Sequence, residues 1–256
     1  MNPVPFDLTT WLMIFLRVTA LLAIFPLFSM QNIPVQVRLA LAASVSFLIA
    51  PGLPPLAAAP ATVPGLVLLM VGEVAVGLLL GFVSRILFYM LEFAGNLIAS
   101  EMGMNWGATF NPFSSTRSEA PGLILFYLGA MIFLTLDLHQ WILRALQRSY
   151  QMLPIGGAHL GPALFTEIVA RTSQLFLAGL LMAAPVIAVS FLINLVFSVI
   201  GRAVPQMNVF VESFSFRTLA GLMVFGLTLN LMAQHVVNYL RRLPEDFIRI
   251  AQLLAQ

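Results

Sequence analysis

Eight polar side chains lie within or at the edges of long apolar stretches of the sequence, and the ionisable ones could line a transport path or hold a neighbouring helix. A charged group in such surroundings needs a partner, a watery cavity or a helix end. Arg85 and Glu92 are two helical turns apart, so they share a helix face and can pair along it or with a neighbouring chain. The alternative is that the two side chains do not pair and instead extend their charged ends toward the membrane–water interface. The eight residues are Arg17, Glu73, Arg85, Glu92, Asp137, Asn194, Asn230 and His235.

Glu73 lies beside a pattern typical of close helix packing. One turn after it, Gly77 and Gly81 form a small-xxx-small motif, which lets the backbone of another helix approach closely. Because a buried acid needs a partner, we expect Glu73 to make a polar contact to the helix that packs at Gly77 and Gly81.

The motifs of common enzyme sites are absent from the sequence. It contains no HExxH, no G-x-S-x-G, no Gly-rich phosphate loop and no Cys. Asp137 and His139 would diverge by about 160° on a helix, which makes them poor joint metal ligands. Ser100 and Ser114 have no His or Lys placed to activate them, so an intramembrane hydrolase would need an unfamiliar constellation. We predict no catalytic residue, no metal and no cofactor.

The composition is that of a membrane protein. Hydrophobic residues make up 60% of the 256 residues and charged residues 9%, against about 25% charged residues in soluble proteins. Long, continuously apolar runs favour helices over the short alternating strands of a barrel. We therefore predict an all-α membrane protein with about six apolar helical segments. These segments cover residues 8–29, 38–58, 64–91, 121–143, 173–200 and 216–240.

Two of these segments fit a simple membrane span poorly. Pro51, Pro54 and Pro55 cut the second segment close to the minimum length. The third is long enough to continue as helix to about Ala99, which exceeds the bilayer core unless the helix is tilted, broken or buried in protein. The Arg residues are too evenly divided between the predicted sides to fix the orientation. Either other signals orient the chain, or its helices do not all cross the bilayer.

The charge pattern argues against nucleic acid as a partner. The chain has a formal net charge of only +2, and its basic residues are all Arg, mostly placed singly along the sequence. Phosphate binding needs basic residues clustered on one face.

The stretch MGMNWGATFNPFSSTRSE (102–119) contrasts with the apolar segments around it. Its Gly, Asn, Pro and Ser residues disfavour a continuous helix, yet it has many large apolar side chains and little charge. Irregular backbone at membrane depth is tolerated where protein buries it or where it lines a cavity. We therefore predict a re-entrant or cavity-facing loop; an interfacial loop anchored by aromatics is the alternative. Its candidate residues are Met102, Met104, Asn105, Trp106, Phe110, Asn111, Pro112 and Phe113.

Three blocks of the sequence resemble the family of the flagellar export-gate protein FliR and its type III secretion counterpart. Their order and spacing match this family across nearly the whole chain, and the flagellar branch fits better because of NP after MGM and of PQMNVF. The blocks are FPLFSMQNIPVQVRLALA (25–42), GLLLGFVSRILFYMLEFAGNLIASEMGMNWGATFNP (77–112) and GRAVPQMNVFVESFSFRTLAGL (201–222).

The resemblance implies a non-enzymatic subunit, formed by residues 1–256 as one integral-membrane domain. Its helical hairpins would join FliP-like and FliQ-like subunits in a closed helical assembly, next to FlhB-like and FlhA-like export components. This export gate would lie in the bacterial inner membrane, in contact with lipid, at the centre of the flagellar basal body. Unfolded proteins would pass through its pore.

The resemblance also implies a role for the loop after the third segment. In the family this loop is a plug beneath a methionine-lined constriction. Carried over, the plug is at about 103–120, with Phe110, Asn111, Pro112 and Phe113 at its tip. The thirteen Met residues are otherwise ordinary core filler.

Two other functions remain open at this point. One is the homologous subunit of a virulence-type injectisome. The other is a stand-alone secondary transporter in which Glu73, Arg85 and Glu92 line the path. Many transporters have an internal repeat of their span pattern, and GEVAVGLLLGFVSR has no counterpart in residues 173–240.

Overall fold

In a computed structural model of the chain, seven α-helices make up nearly all of the secondary structure that is described. The structure describes residues 7–28, 33–54, 56, 62–104, 120–206 and 208–255. These residues form no strand, so the predicted all-α fold is confirmed. The helices are α1 (Leu8–Ile24), α2 (Val35–Ile49), α3 (Val63–Glu101), α4 (Ala120–Thr135), α5 (Leu138–Met152), α6 (Pro162–Ala203) and α7 (Val209–Leu254).

The apolar helices have the lengths that a membrane protein needs. Within the described ranges, four helices are long and apolar enough to cross a membrane, or five if α4 and α5 together count as one broken span. The helix α1 is apolar but has only 17 residues. The helix α3 has 39 residues and continues close to the predicted end, so it measures about 58 Å. Because a bilayer core is about 30 Å thick, α3 is far longer than one perpendicular crossing requires.

The prediction of one helix over 121–143 is wrong. The helices α4 and α5 are separated at Leu136 and Asp137 and bent by 70° relative to each other. Asp137 has a φ of 53°, in the left-handed region that breaks a right-handed helix and that Asp tolerates better than most residues. The apolar run continues past this break, which is why hydropathy alone does not reveal it.

Two helix boundaries differ from the prediction for opposite reasons. The helix α2 ends at Ile49 and passes into a short 3-10 turn, Ala50–Gly52, because Pro51 cannot continue the ladder of hydrogen bonds. The helix α7 continues fourteen residues beyond the predicted end at 240, to Leu254, with Pro244 inside it. Its last part is amphipathic, with Phe247 and Ile250 buried, and is therefore missed by a search for uniformly apolar segments.

The described helices divide into two compact units. One unit comprises Met1–Ile86, Leu136–Arg171 and Arg241–Gln256, and the other comprises Leu87–Thr135 and Thr172–Leu240. The first unit buries apolar side chains of α1, α5 and the end of α7, including Met13, Ile14, Leu21, Leu146 and Phe247. The second buries side chains from the end of α3, from α4 and from α7, including Leu91, Ile98, Leu125, Phe133 and Met232.

Candidate functional site

The helix α3 ends at Glu101 in a turn that forms the start of the stretch 102–119. Gly103 has a φ of 76°, which a glycine adopts without the steric cost of a Cβ atom. The N–H of Met104 donates to the carbonyl of Ala99 at 2.9 Å, and that of Gly103 donates to the carbonyl of Ser100 at 3.0 Å. These two hydrogen bonds form a Schellman motif, so the helix ends at a defined residue instead of fraying.

Two neighbouring helices hold the same helix end from outside. The hydroxyl of Thr218 on α7 donates to the carbonyl of Met102 at 2.8 Å, and the hydroxyl of Ser190 on α6 donates to the carbonyl of Glu101 at 3.2 Å. The last carbonyls of a helix have no partner within it, so these bonds satisfy groups that would otherwise need water. Met102 is itself buried against Gly221. The start of the loop is therefore anchored through both backbone and side chain.

On the other side of the loop, α4 begins in close contact with α3. A Cβ atom added at Gly95 would lie 2.1 Å from Cα of Gly122, so the two backbones touch and Gly95 leaves no room for a larger residue. Gly122 is the third residue of α4. Both ends of the loop are thus joined to one tightly packed helix pair.

The proposed plug tip itself lies outside the described residues. Of the candidate residues, Met102 and Met104 belong to the described turn, and Asn105, Trp106, Phe110, Asn111, Pro112 and Phe113 do not. Their role as a plug stays a prediction.

Glu73 forms a buried ion pair with Arg17 of α1. Nε of Arg17 lies 2.6 Å from one carboxylate oxygen of Glu73, and one terminal nitrogen of Arg17 donates to the other oxygen at 3.1 Å. The side chains are 0% and 1% exposed. This two-point contact matches the planar guanidinium to the carboxylate, so it fixes the angle between the groups as well as their distance.

The remaining polar atoms of the pair contact α5 and the turn after it. The carbonyl of Leu153 accepts from both terminal nitrogens of Arg17, at 3.3 and 3.4 Å. The N–H of Gly156 donates to Glu73 at 3.0 Å. The guanidinium lies 4.1 Å from the ring centroid of Tyr150, in a cation–π contact. The charges are thus neutralised and enclosed, which makes this cluster a clamp between helices.

Gly77 and Gly81 press against the same helix that carries Arg17. A Cβ atom added at Gly77 would lie 2.3 Å from the carbonyl oxygen of Arg17, and one added at Gly81 would lie 2.8 Å from that of Leu21. The two glycines therefore let α1 lie directly on α3, which brings Arg17 within reach of Glu73.

Arg85 and Glu92, which share a helix face by their spacing, each have partners in the structure. Arg85 donates to the carbonyl of Ile24 at 3.4 Å, at the end of α1. Glu92 is half-buried on α3 and makes contacts of its own. The pairing of Arg17 with Glu73 is not evident from the sequence, because the two residues are 56 positions apart. The available signal was the presence of one Arg inside a short apolar helix.

The sequence matches the family described as "Bacterial export proteins, family 1" over residues 8–243. The chain is 30% identical over 236 residues to the flagellar biosynthetic protein FliR of Escherichia coli (strain K12), covering 91% of this chain and 90% of that protein. It is 29% identical over 245 residues to FliR of Pectobacterium carotovorum subsp. carotovorum, covering 94% and 91% of the two chains. FliR of Aquifex aeolicus (strain VF5) is 29% identical over 252 residues, which cover 97% and 95%.

Proposed function

We infer the function from one premise: the chain belongs to the family of bacterial export proteins, family 1. The relatives that align with nearly its whole length are named flagellar biosynthetic protein FliR. The chain is accordingly a membrane component of flagellar protein export. This assignment calls for no catalytic step, and the enclosed charge pair of Arg17 and Glu73 supports a structural role.

In finer detail, residues 1–256 act as one domain of an export gate in the inner membrane, at the centre of the basal body. The partners are FliP-like and FliQ-like subunits, with FlhB-like and FlhA-like components nearby, and the substrates are unfolded proteins. Exposed apolar helix faces support this assembly. On α7, Leu219, Met223 and Leu227 follow one another at four-residue spacing and are 70%, 69% and 78% exposed. Such a stripe suits packing against a partner helix as well as contact with lipid.

Purification from the native host tests the assignment to this assembly. A tagged full-length chain should be recovered with FliP-like and FliQ-like subunits, and deletion of its gene should abolish flagellin export and motility. Restoring the gene should restore both. Recovery of the chain without these subunits, together with normal export in the deletion strain, would contradict the assignment.

For the loop, we propose that residues 103–120 close the gate, with Phe110, Asn111, Pro112 and Phe113 as the stopper. The observation that carries this proposal is the anchoring of Met102 by Thr218 and Gly221. A stopper must return to the same place after each opening, and a helix end fixed by a Schellman turn and two neighbouring helices provides such a starting point.

Deletion of residues 111–118 is expected to raise ion leakage through the assembled complex, because the deletion removes the side chains that fill the pore. The measurement is ion flux and protein export in cells, after co-purification has verified that the complex assembles. A Gly/Ser replacement of equal length should leak in the same way, whereas Phe110→Leu with Phe113→Leu should remain closed. Unchanged leakage and unchanged export in both the deletion and the replacement would rule out the plug.

A further inference from the structure

A large groove lies between α5 and the last part of α7, and none of its lining residues belongs to the cluster around Arg17 and Glu73. It has a volume of about 970 Å³, at the upper end of the range of about 300–1,000 Å³ typical of ligand pockets. Along the chain, its lining begins with the apolar residues Leu136, Leu138 and Trp141 and continues on α5 with Arg144 and Arg148. Arg241 faces them from α7.

The basic side chains of the groove outnumber its acidic ones. Glu245 is the one carboxylate among the lining residues, against three arginines. None of these three arginines is ion-paired with a carboxylate in the described part of the chain, in contrast to Arg17, Arg171 and Arg249. The groove therefore has an excess of positive charge available to an anionic ligand.

The helix α5 has the side-chain distribution of a helix that lies at a membrane surface. Its inner face buries Ile142 and Leu146, whereas Trp141, Arg144 and Arg148 are exposed. The guanidinium of Arg144 lies 5.4 Å from the ring centroid of Trp141, so the two side chains form one aromatic and cationic surface. Trp and Arg are the residues that anchor helices at the level of lipid headgroups.

We propose that this groove binds the phosphate headgroup of an anionic phospholipid. Arg144, Arg148 and Arg241 contact the phosphate, and the start of an acyl chain lies along Leu138 and Trp141. Basic pockets between helices of membrane proteins are recognised sites for anionic headgroups.

Both parts of the groove lining favour a phospholipid over other anions. A free phosphate would use the arginines but leave the apolar part around Leu136 and Leu138 unfilled. An acidic peptide would meet that apolar surface with charged side chains, at a cost in desolvation. A phospholipid combines one anionic group with an apolar chain, and the groove presents partners for both.

Tryptophan quenching by brominated lipid tests this site directly. The chain has three Trp residues, so Trp11→Phe with Trp106→Phe leaves Trp141 as the only one. In this background the full-length chain is placed in phosphatidylcholine nanodiscs and titrated with dibrominated phosphatidylglycerol or dibrominated phosphatidylcholine. We expect dibrominated phosphatidylglycerol to quench Trp141 at a mole fraction at least about tenfold lower than dibrominated phosphatidylcholine requires. We expect this preference to weaken as the NaCl concentration is raised.

Charge variants distinguish the groove from general surface charge. Arg144→Gln with Arg148→Gln should abolish the preference for phosphatidylglycerol, and Arg144→Lys with Arg148→Lys should keep most of it. The matched control, Arg202→Gln with Arg242→Gln, removes the same charge from exposed positions outside the groove lining and should keep the preference. Circular dichroism verifies that each variant is folded. If the double Gln variant does not fold, the single variant Arg148→Gln takes its place. It should weaken the preference for phosphatidylglycerol, and the salt titration of the parent chain should weaken it too.

Four results would overturn the proposal. The first is equal quenching by the two lipids in the parent chain. The second is an equal loss of preference in the groove variant and the matched control, which would indicate unspecific attraction. The third is displacement of phosphatidylglycerol by inorganic phosphate at matched ionic strength, which would identify a free-phosphate site. Cross-linking of the groove to an acidic segment of a partner protein, without any lipid preference, would likewise replace the lipid with a protein ligand.

Discussion

Arg17 carries a charge in a fully buried position, and each of its three guanidinium nitrogens has a partner. Glu73 takes Nε and one terminal nitrogen, and Leu153 and Ser149 accept from the other. Desolvating two ions costs nearly as much as their attraction returns, so the pair adds little net stability compared with apolar residues of the same size. Its value is specificity, because α1 can satisfy Arg17 only where Glu73 and the turn at Leu153 meet.

Glu73→Gln should therefore lower the free energy of unfolding by about 3–5 kcal/mol, since it leaves the charge of Arg17 buried and uncompensated. Thermal unfolding of the detergent-purified chain measures this change. The double variant Arg17→Met with Glu73→Leu removes both charges and should be more stable than Glu73→Gln. The single variants Arg17→Met and Glu73→Leu complete the comparison: if the double variant loses as much stability as the sum of these two, the two side chains do not depend on each other.

At the scale of elements, the contact between α1 and α3 depends on the absence of side chains. Gly77 and Gly81 bring α3 against the carbonyl oxygens of Arg17 and Leu21. The distance between the helix axes therefore decides whether Arg17 reaches Glu73, and a single methyl group on α3 changes that distance.

Gly77→Ala should destabilise the chain by about 1–3 kcal/mol, because its Cβ atom would overlap the backbone of α1. Gly72→Ala is the matched control on the same helix: nothing lies within 4 Å of a Cβ atom there, so the better helix propensity of Ala should leave stability equal or up to about 1 kcal/mol higher. The measurement is again the shift in the unfolding midpoint. Similar midpoints for both variants would show that Gly77 is not a close-packing position.

At the scale of the whole molecule, the sequence predicts helix type well and helix ends less well. Apolar runs identify the membrane helices because apolar side chains are favoured both where a helix faces lipid and where it packs against other helices. The break at Asp137 and the extension of α7 past 240 depend instead on one backbone angle and on an amphipathic face that packs inside one unit. Neither contributes to a local average of hydropathy.

The candidate sites also divide into features that are local in the sequence, which can be predicted, and features that are distant in the sequence, which cannot. The pattern of Glu73, Gly77 and Gly81 is local, and it identifies a packing seam from the sequence alone. The partner of Glu73 is not local: Arg17 precedes it by 56 residues, and only the fold shows that they meet. The anchoring of Met102 by Thr218 spans an even greater distance in sequence, 116 residues, and a Thr on an apolar helix gives no sign of it.

The buried pair also constrains the order in which the chain enters the membrane during synthesis. The helix α1 is short, and an Arg in the middle of a membrane helix costs about 2.5–3.5 kcal/mol on insertion. Its counter-charge is synthesised 56 residues later, a delay of about 3–11 s at ribosomal speed. During that interval α1 is a poor membrane segment by itself. It should remain beside the insertion machinery until α3 arrives, so the first two hydrophobic helices to settle in the bilayer as a pair are α1 and α3, although α2 is made between them.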